Sequence, residues 1–83
     1  MTEIEIGTIS TFFARPVVAG IDLTGSLKLG DIIHIKGHST DLQVTVTSMQ
    51  INNASTEEAE AGDSVGVKVN GRVRKGDIVY KIT

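Results

Sequence analysis

Apolar and polar residues alternate along this chain in short runs, and the apolar ones never keep helical spacing over ten residues. Glu3-Ile4-Glu5-Ile6 predicts a first strand with inward isoleucines, because successive strand side chains leave opposite faces. Beyond Gly7 the inward set becomes Ile9, Thr11 and Phe13, a change of parity that predicts a bulge at Gly7-Thr8. Arg15-Pro16 marks a turn, and Val17, Ala19, Ile21 and Leu23 line one face of a second strand. After a turn at Thr24-Gly25-Ser26, Leu27 and Leu29 are expected over the core. A third strand is expected over 31–36 and a fourth with Leu42, Val44 and Val46 inward. Met49 and Ile51 then take the opposite parity, which predicts a second bulge near Thr47-Ser48. The interval 52–61 is polar and expected to be strandless, with one helical turn at Glu57-Glu58-Ala59-Glu60 capped by Ser55 or Thr56. Two closing strands flank residues 70–75.

Gly30-Asp31, Gly62-Asp63 and Gly76-Asp77 each run straight into an alternating apolar segment. Glycine takes the positive φ of a tight turn, and aspartate is expected to hold backbone amides just beyond it, so each pair delivers a strand. The result is an all-β chain of about six antiparallel strands in one small domain covering 1–83. A closed or partly closed six-stranded β-barrel is the economical way to hide edges in so small a sheet.

Composition narrows the chemistry. The chain has no cysteine, which excludes disulfides and thiolate metal sites and suits a reducing cytosol. No run approaches the ~20 apolar residues of a membrane span. The acidic, alternating first residues are unlike a cationic signal peptide, so a complete, soluble, cytoplasmic protein is expected. Eight Lys and Arg against ten Asp and Glu give a net charge of −2. Any hold on RNA must therefore come from a local patch or a shared partner.

Candidate catalytic groups are few. His34 and His38 stand four apart, ~13 Å along a strand, which does not build a metal site; His34 is expected to face outward. His38-Ser39-Thr40-Asp41 holds the residue types of a hydrolytic triad, but neighbours in one short loop do not reach its geometry. No glycine-rich loop has phosphate-cradle spacing, and Phe12, Phe13 and Tyr80 are the only aromatics, too few for a stacking platform. Neither a cofactor nor an enzymatic activity is expected. Arg72, Arg74 and Lys75 form the one basic cluster, joined by Lys28 and Lys36 on folding, and read either as a solvated hairpin tip or as a contact for a phosphate or an acidic partner; Lys36 and His38 are further candidate contacts for RNA or a partner. Met49 is either core filler or an adaptable contact next to a bulge.

The segments 27–37, Ser48-Met49-Gln50-Ile51, 60–67 and Arg74-Lys75-Gly76-Asp77-Ile78-Val79-Tyr80 follow, in order, the second domain of translational GTPases such as elongation factor Tu. The likeness covers nearly the whole chain. Through Gly37-His38-Ser39-Thr40-Asp41-Leu42 and Thr47-Ser48-Met49-Gln50-Ile51 it also resembles stand-alone elongation factor-like proteins and the C-terminal barrel of collagenase-like peptidase family members, several of which act in RNA modification. The resemblance implies a six-stranded barrel that contacts the aminoacyl end of tRNA or the ribosome. By that likeness the contact falls at Ser48, Met49, Gln50, Glu60, Ala61 and Gly62. A GTPase domain is separate in that family, so GTP binding does not carry over; DNA and membrane are not expected partners. The expected function is non-enzymatic binding of tRNA, rRNA or a ribonucleoprotein. The alternative is a protein-interaction subunit, a detached accessory barrel, of an RNA-modifying or peptidase-like enzyme.

Overall fold

The computed structural model describes residues 2–15 and 17–83, which hold ten strands and no helix. In chain order these are β1 (Glu3–Ala14), β2 (Val17–Leu23), β3 (Leu27–Lys28), β4 (Ile32–Lys36), β5 (Asp41–Thr45), β6 (Met49–Ile51), β7 (Ala54–Ser55), β8 (Glu58–Ala59), β9 (Ser64–Lys68) and β10 (Ile78–Ile82). Eight of them form one antiparallel sheet in the order β5-β4-β10-β1-β2-β9-β6-β7, and β3 pairs with β8. The expected turn at Arg15-Pro16 falls partly on Pro16, outside the described residues.

The three Gly-Asp pairs build one turn three times. Gly30, Gly62 and Gly76 have φ of +92°, +97° and +94°, the value a type II turn requires at its third position. Asp31, Asp63 and Asp77 each donate their backbone N–H to the carbonyl three residues earlier, at 3.0–3.1 Å. Each carboxylate in turn accepts from the amide of that same earlier residue: Lys28 at 3.0 Å, Glu60 at 2.9 Å and Arg74 at 2.8 Å. The aspartates thus tie back across the turn rather than holding amides beyond it. Leu29 sits at the turn's second position, 38% exposed, and does not cover the core.

Register shifts account for the misplaced apolar residues of β1. Against β10 the pairing steps from Glu5↔Tyr80 to Gly7↔Val79, so the bulge lies at Ile6, ahead of Gly7-Thr8. A second shift, at Ser10 between Ile9↔Ile21 and Thr11↔Gly20, flips every later side chain. Phe12 therefore packs on the core while Phe13 is 55% exposed and Thr11 faces out. Ile4 pairs with Lys81 at the end of the sheet and is 48% exposed.

The interval 52–61 is not strandless, and its expected helical turn is absent. Asn52 and Asn53 take φ of 52° and 65°, the two-residue hairpin turn that joins β6 to β7. Glu58 faces out and Ala59 in, and they pair with Lys28 and Leu27. One contiguous core draws on every long strand: Ile6 and Ile9, Ala19 and Ile21, Ile33 and Ile35, Val44, Met49, Val65 and Val67, and Val79.

Among the described residues no sheet closes by hydrogen bonds; the ladder ends at β5 and β7. The chain itself carries β5 into β6 through Val46, which donates to Asp31 O and accepts from Gly30 N, both at 2.8 Å. Across the seam, Leu42 lies so close to Gly71 that a Cβ there would stand 3.2 Å from Leu42 Cδ1.

Candidate functional site

A cleft of about 330 Å³ opens on the outer face of β2, β9 and β6. Its floor follows from cross-strand register. Gly20 pairs with Gly66, and Gly66 with Gln50, so two glycines lie side by side across β2 and β9 and Gln50 stands next to Gly66. Gly20 is covered by the Thr11 side chain, whose Cγ2 stands 2.6 Å from where a Cβ would be, so the open floor of the cleft is Gly66. A Cβ on Gly66 would meet only Val18 Cγ1, at 3.3 Å. Phe13 and Val18, a directly paired couple, wall the cleft on one side, with Arg15 at its end. Asn52 and Asn53 form the opposite lip, and Ser64 Oγ donates to Asp22 Oδ1 at 2.8 Å along the rim. Among the described residues the side chains of Gln50, Asn52 and Asn53 have no partner within the chain. The cleft thus offers a flat backbone floor, an aromatic wall, a guanidinium and several amide groups. That set suits a planar, hydrogen-bonding ring attached to an anion.

A second polar constellation occupies the outer face of β1, β10, β4 and β5. His34 Nδ1 faces Glu3 Oε2 at 2.7 Å, and its Nε2 faces Asp41 Oδ1. Asp41 thus converges on His34. Lys36 Nζ donates to the other oxygen of Glu3 at 2.7 Å and lies 5.3 Å from the centre of the Tyr80 ring. Hydrogen bonding to Asp41, and then to Glu3, raises the His34 pKa above its ordinary value. The Lys36 ammonium, and then His34, lowers that of Glu3. Each charge here is answered by a neighbour. His34 faces outward, as its strand position implies.

The sequence-predicted site residues are scattered over the molecule. Gln50 alone lies in the cleft. Met49, its neighbour, is 1% exposed and belongs to the core, while Ser48 is exposed before β6. Glu60, Ala61 and Gly62 are the first three positions of a type II turn, and Glu60 lines a separate hollow with Lys28 and Lys81. Arg74 and Lys75 occupy the same positions of the third turn. Gly37 packs on the Asp77 carboxylate, which also accepts from Arg74 N, so Lys36 and His38 approach the 74–77 turn. Arg72 lines a groove of about 350 Å³ beside Phe12, Ala14 and Val17. Sequence reasoning missed Phe13, Arg15, Val18, Asn52, Asn53, Ser64 and Gly66. Asn52-Asn53 between two short apolar runs was a legible hairpin signal. The glycine floor was not legible, because it depends on register.

Comparison with known proteins agrees with this architecture. Among the described residues no helix is long and apolar enough to cross a membrane. Over 79 residues the chain is 47% identical to an uncharacterized protease of Methanocaldococcus jannaschii, a match that takes in 94% of this chain but only 19% of that protein. The C-terminal domain of a U32 peptidase from Geobacillus thermoleovorans superposes with a TM-score of 0.88 at 13% identity, over 98% of this chain and 93% of that domain. GDP-bound aIF5B from Aeropyrum pernix contains a similar unit, with a TM-score of 0.62 at 21% identity over 95% of this chain and 14% of that one. These two likenesses concern the fold. The family model for elongation factor Tu domain 2 matches residues 16–80, most of the chain, and the chain belongs to that family.

Proposed function

We propose that this chain is a non-enzymatic, cytoplasmic binding module whose cleft holds an exposed end or loop of an RNA, tRNA or ribosomal. Its sheet works as a small barrel, closed across the β5 seam by side chains rather than by a ladder. The observation that carries the reading is the bare Gly66 floor between Phe13 and Gln50. A base can lie flat on bare backbone against the ring while Gln50, Asn52 and Asn53 reach its edge. Arg15 then meets the adjoining phosphate. Membership of the elongation factor Tu domain 2 family supports the same use. Arg72, Arg74, Lys75 and His38 supply a modest basic surface on a chain of net charge −2, so binding should be weak and salt-sensitive. The test is retention of labelled tRNA at low and moderate salt. Gly66→Leu, which fills the floor, should lower affinity about tenfold or more if a base stacks there. No retention even at low salt overturns the proposal.

The 47% identity to part of an archaeal protease favours one second reading, an accessory barrel that docks on a peptidase-like or RNA-modifying enzyme. A single protein partner recovered from native extract after ribonuclease treatment would support it.

A further inference from the structure

The hairpin formed by β1 and β2 has a groove on each face, and the two grooves are lined by the same residue types. On the outer face lie Phe13, Val18, Arg15, an Asn52-Asn53 lip and Gly66. On the opposite face lie Phe12, Val17, Arg72, Asn70 and Gly71, around a space of about 350 Å³. The duplication has a local cause. Phe12 and Phe13 are consecutive in one strand, as are Val17 and Val18 in its partner, so each pair must split between the two faces. The second groove is also accessible, because Ala14 beside Phe12 is small and exposed.

We infer that the second groove takes a further base of the same RNA strand, so that the hairpin is a wedge straddled by consecutive nucleotides. This rests on the reading of the first cleft as an RNA site. Charge sets the course of the strand. Arg15 stands at the end of the hairpin and Arg72 at the rim of the second groove, with Arg74 and Lys75 following in the adjacent loop. A backbone passing from one groove to the other therefore meets cations on the way. A lone nucleotide fills only one groove; a short single strand fills both.

The experiment compares adenosine 5′-monophosphate with a single-stranded RNA hexamer at low salt, following backbone amide shifts of the full chain. The hexamer should bind about tenfold tighter than the mononucleotide, the gain expected for one added stacked base. It alone should move Gly71 and Arg72. Ala14→Leu, which fills the second groove from an exposed position, should remove most of that gain and leave mononucleotide binding unchanged, and Arg72→Ala should weaken the hexamer more than the mononucleotide. If both probes bind alike and neither substitution matters, while Gly66→Leu still weakens binding, the second groove is not used and the first cleft stands. If neither probe binds to the folded protein, both readings fall together.

Discussion

Two outer faces of this sheet carry polar side chains, and they use them in opposite ways. On the face of β1, β10, β4 and β5, Glu3, Lys36, His34 and Asp41 bind one another. On the face of β2, β9 and β6, Gln50, Asn52 and Asn53 surround a glycine floor and, among the described residues, have no partner within the chain. The charged face has the residue types associated with catalysis, yet its charges are already answered and offer little to a ligand. The glycine-floored face is bland in composition, and its bonding capacity is free. Availability of the groups, rather than their chemical reputation, marks the candidate site.

The two faces share one core, and breaking that core should affect both. Ile21, fully buried, lies on β2 immediately beside Gly20. Ile21→Ala should cost about 2–5 kcal/mol, the range for a large aliphatic side chain removed from a tight interior. Urea unfolding followed by Tyr80 fluorescence and by RNA binding should then give one coincident, earlier transition. Two separated transitions would mean that the faces are independent units.

The next substitution separates the faces. Gly20→Val places a Cβ 2.6 Å from Thr11 Cγ2, so the Thr11 side chain or the strand that carries it must shift beside the cleft. Overpacking of this kind costs about 1–3 kcal/mol. It should weaken RNA retention under conditions where the variant remains folded. Lys36→Ala, on the other face, should leave binding by the cleft largely intact. Equal losses from the two substitutions would erase the distinction between the faces.

The legibility of the fold in the sequence has a physical limit. Turns were readable because their cause is local: Gly30, Gly62 and Gly76 must take positive φ wherever the chain goes next. The inward faces of β2 and β4 were readable from strict alternation, as Ala19, Ile21, Ile33 and Ile35 show. What failed depended on pairing. Ser10 gives no sign that it is an extra residue in the ladder, yet it decides that Phe13 and not Phe12 faces solvent. Gly66 comes to lie beside Val18 and Phe13, 48 and 53 positions earlier in the chain, only when β2 and β9 meet in register. Glu57-Glu58-Ala59-Glu60 favours a helical turn locally, but Leu27 offers Ala59 a buried partner. The family likeness brought Gln50 to notice without its surroundings.

The smallest expected effect probes the charged face by pH. A neutral imidazole has one N–H, and both carboxylates facing His34 are acceptors, so both contacts are satisfied only by the imidazolium. The neighbours from each adjoining strand are Glu3 and Glu5 on β1, Tyr80 on β10, Lys36 on β4 itself, and Asp41 and Gln43 on β5. Hydrogen bonds to Asp41 and then Glu3 raise His34 above its ordinary 6.5. The protonated form is therefore favoured more in the folded chain than in the unfolded one, and its contribution is complete below 6.5. It fades as pH rises through the raised folded value. Glu3 acts in the other direction: its lowered pKa contributes above the ordinary 4.5 and fades as pH falls. The network is thus strongest between those limits. Moving from about pH 6 to about pH 9 should lower the wild-type Tm by about 1–3 °C more than that of His34→Gln, the small figure reflecting solvent screening. Thermal melts of both proteins across that range check it, and parallel slopes would show that His34 does not hold the two carboxylates together. RNA retention by the cleft should meanwhile follow salt and not the charge on His34, because neither Gln50 nor the glycine floor touches that network.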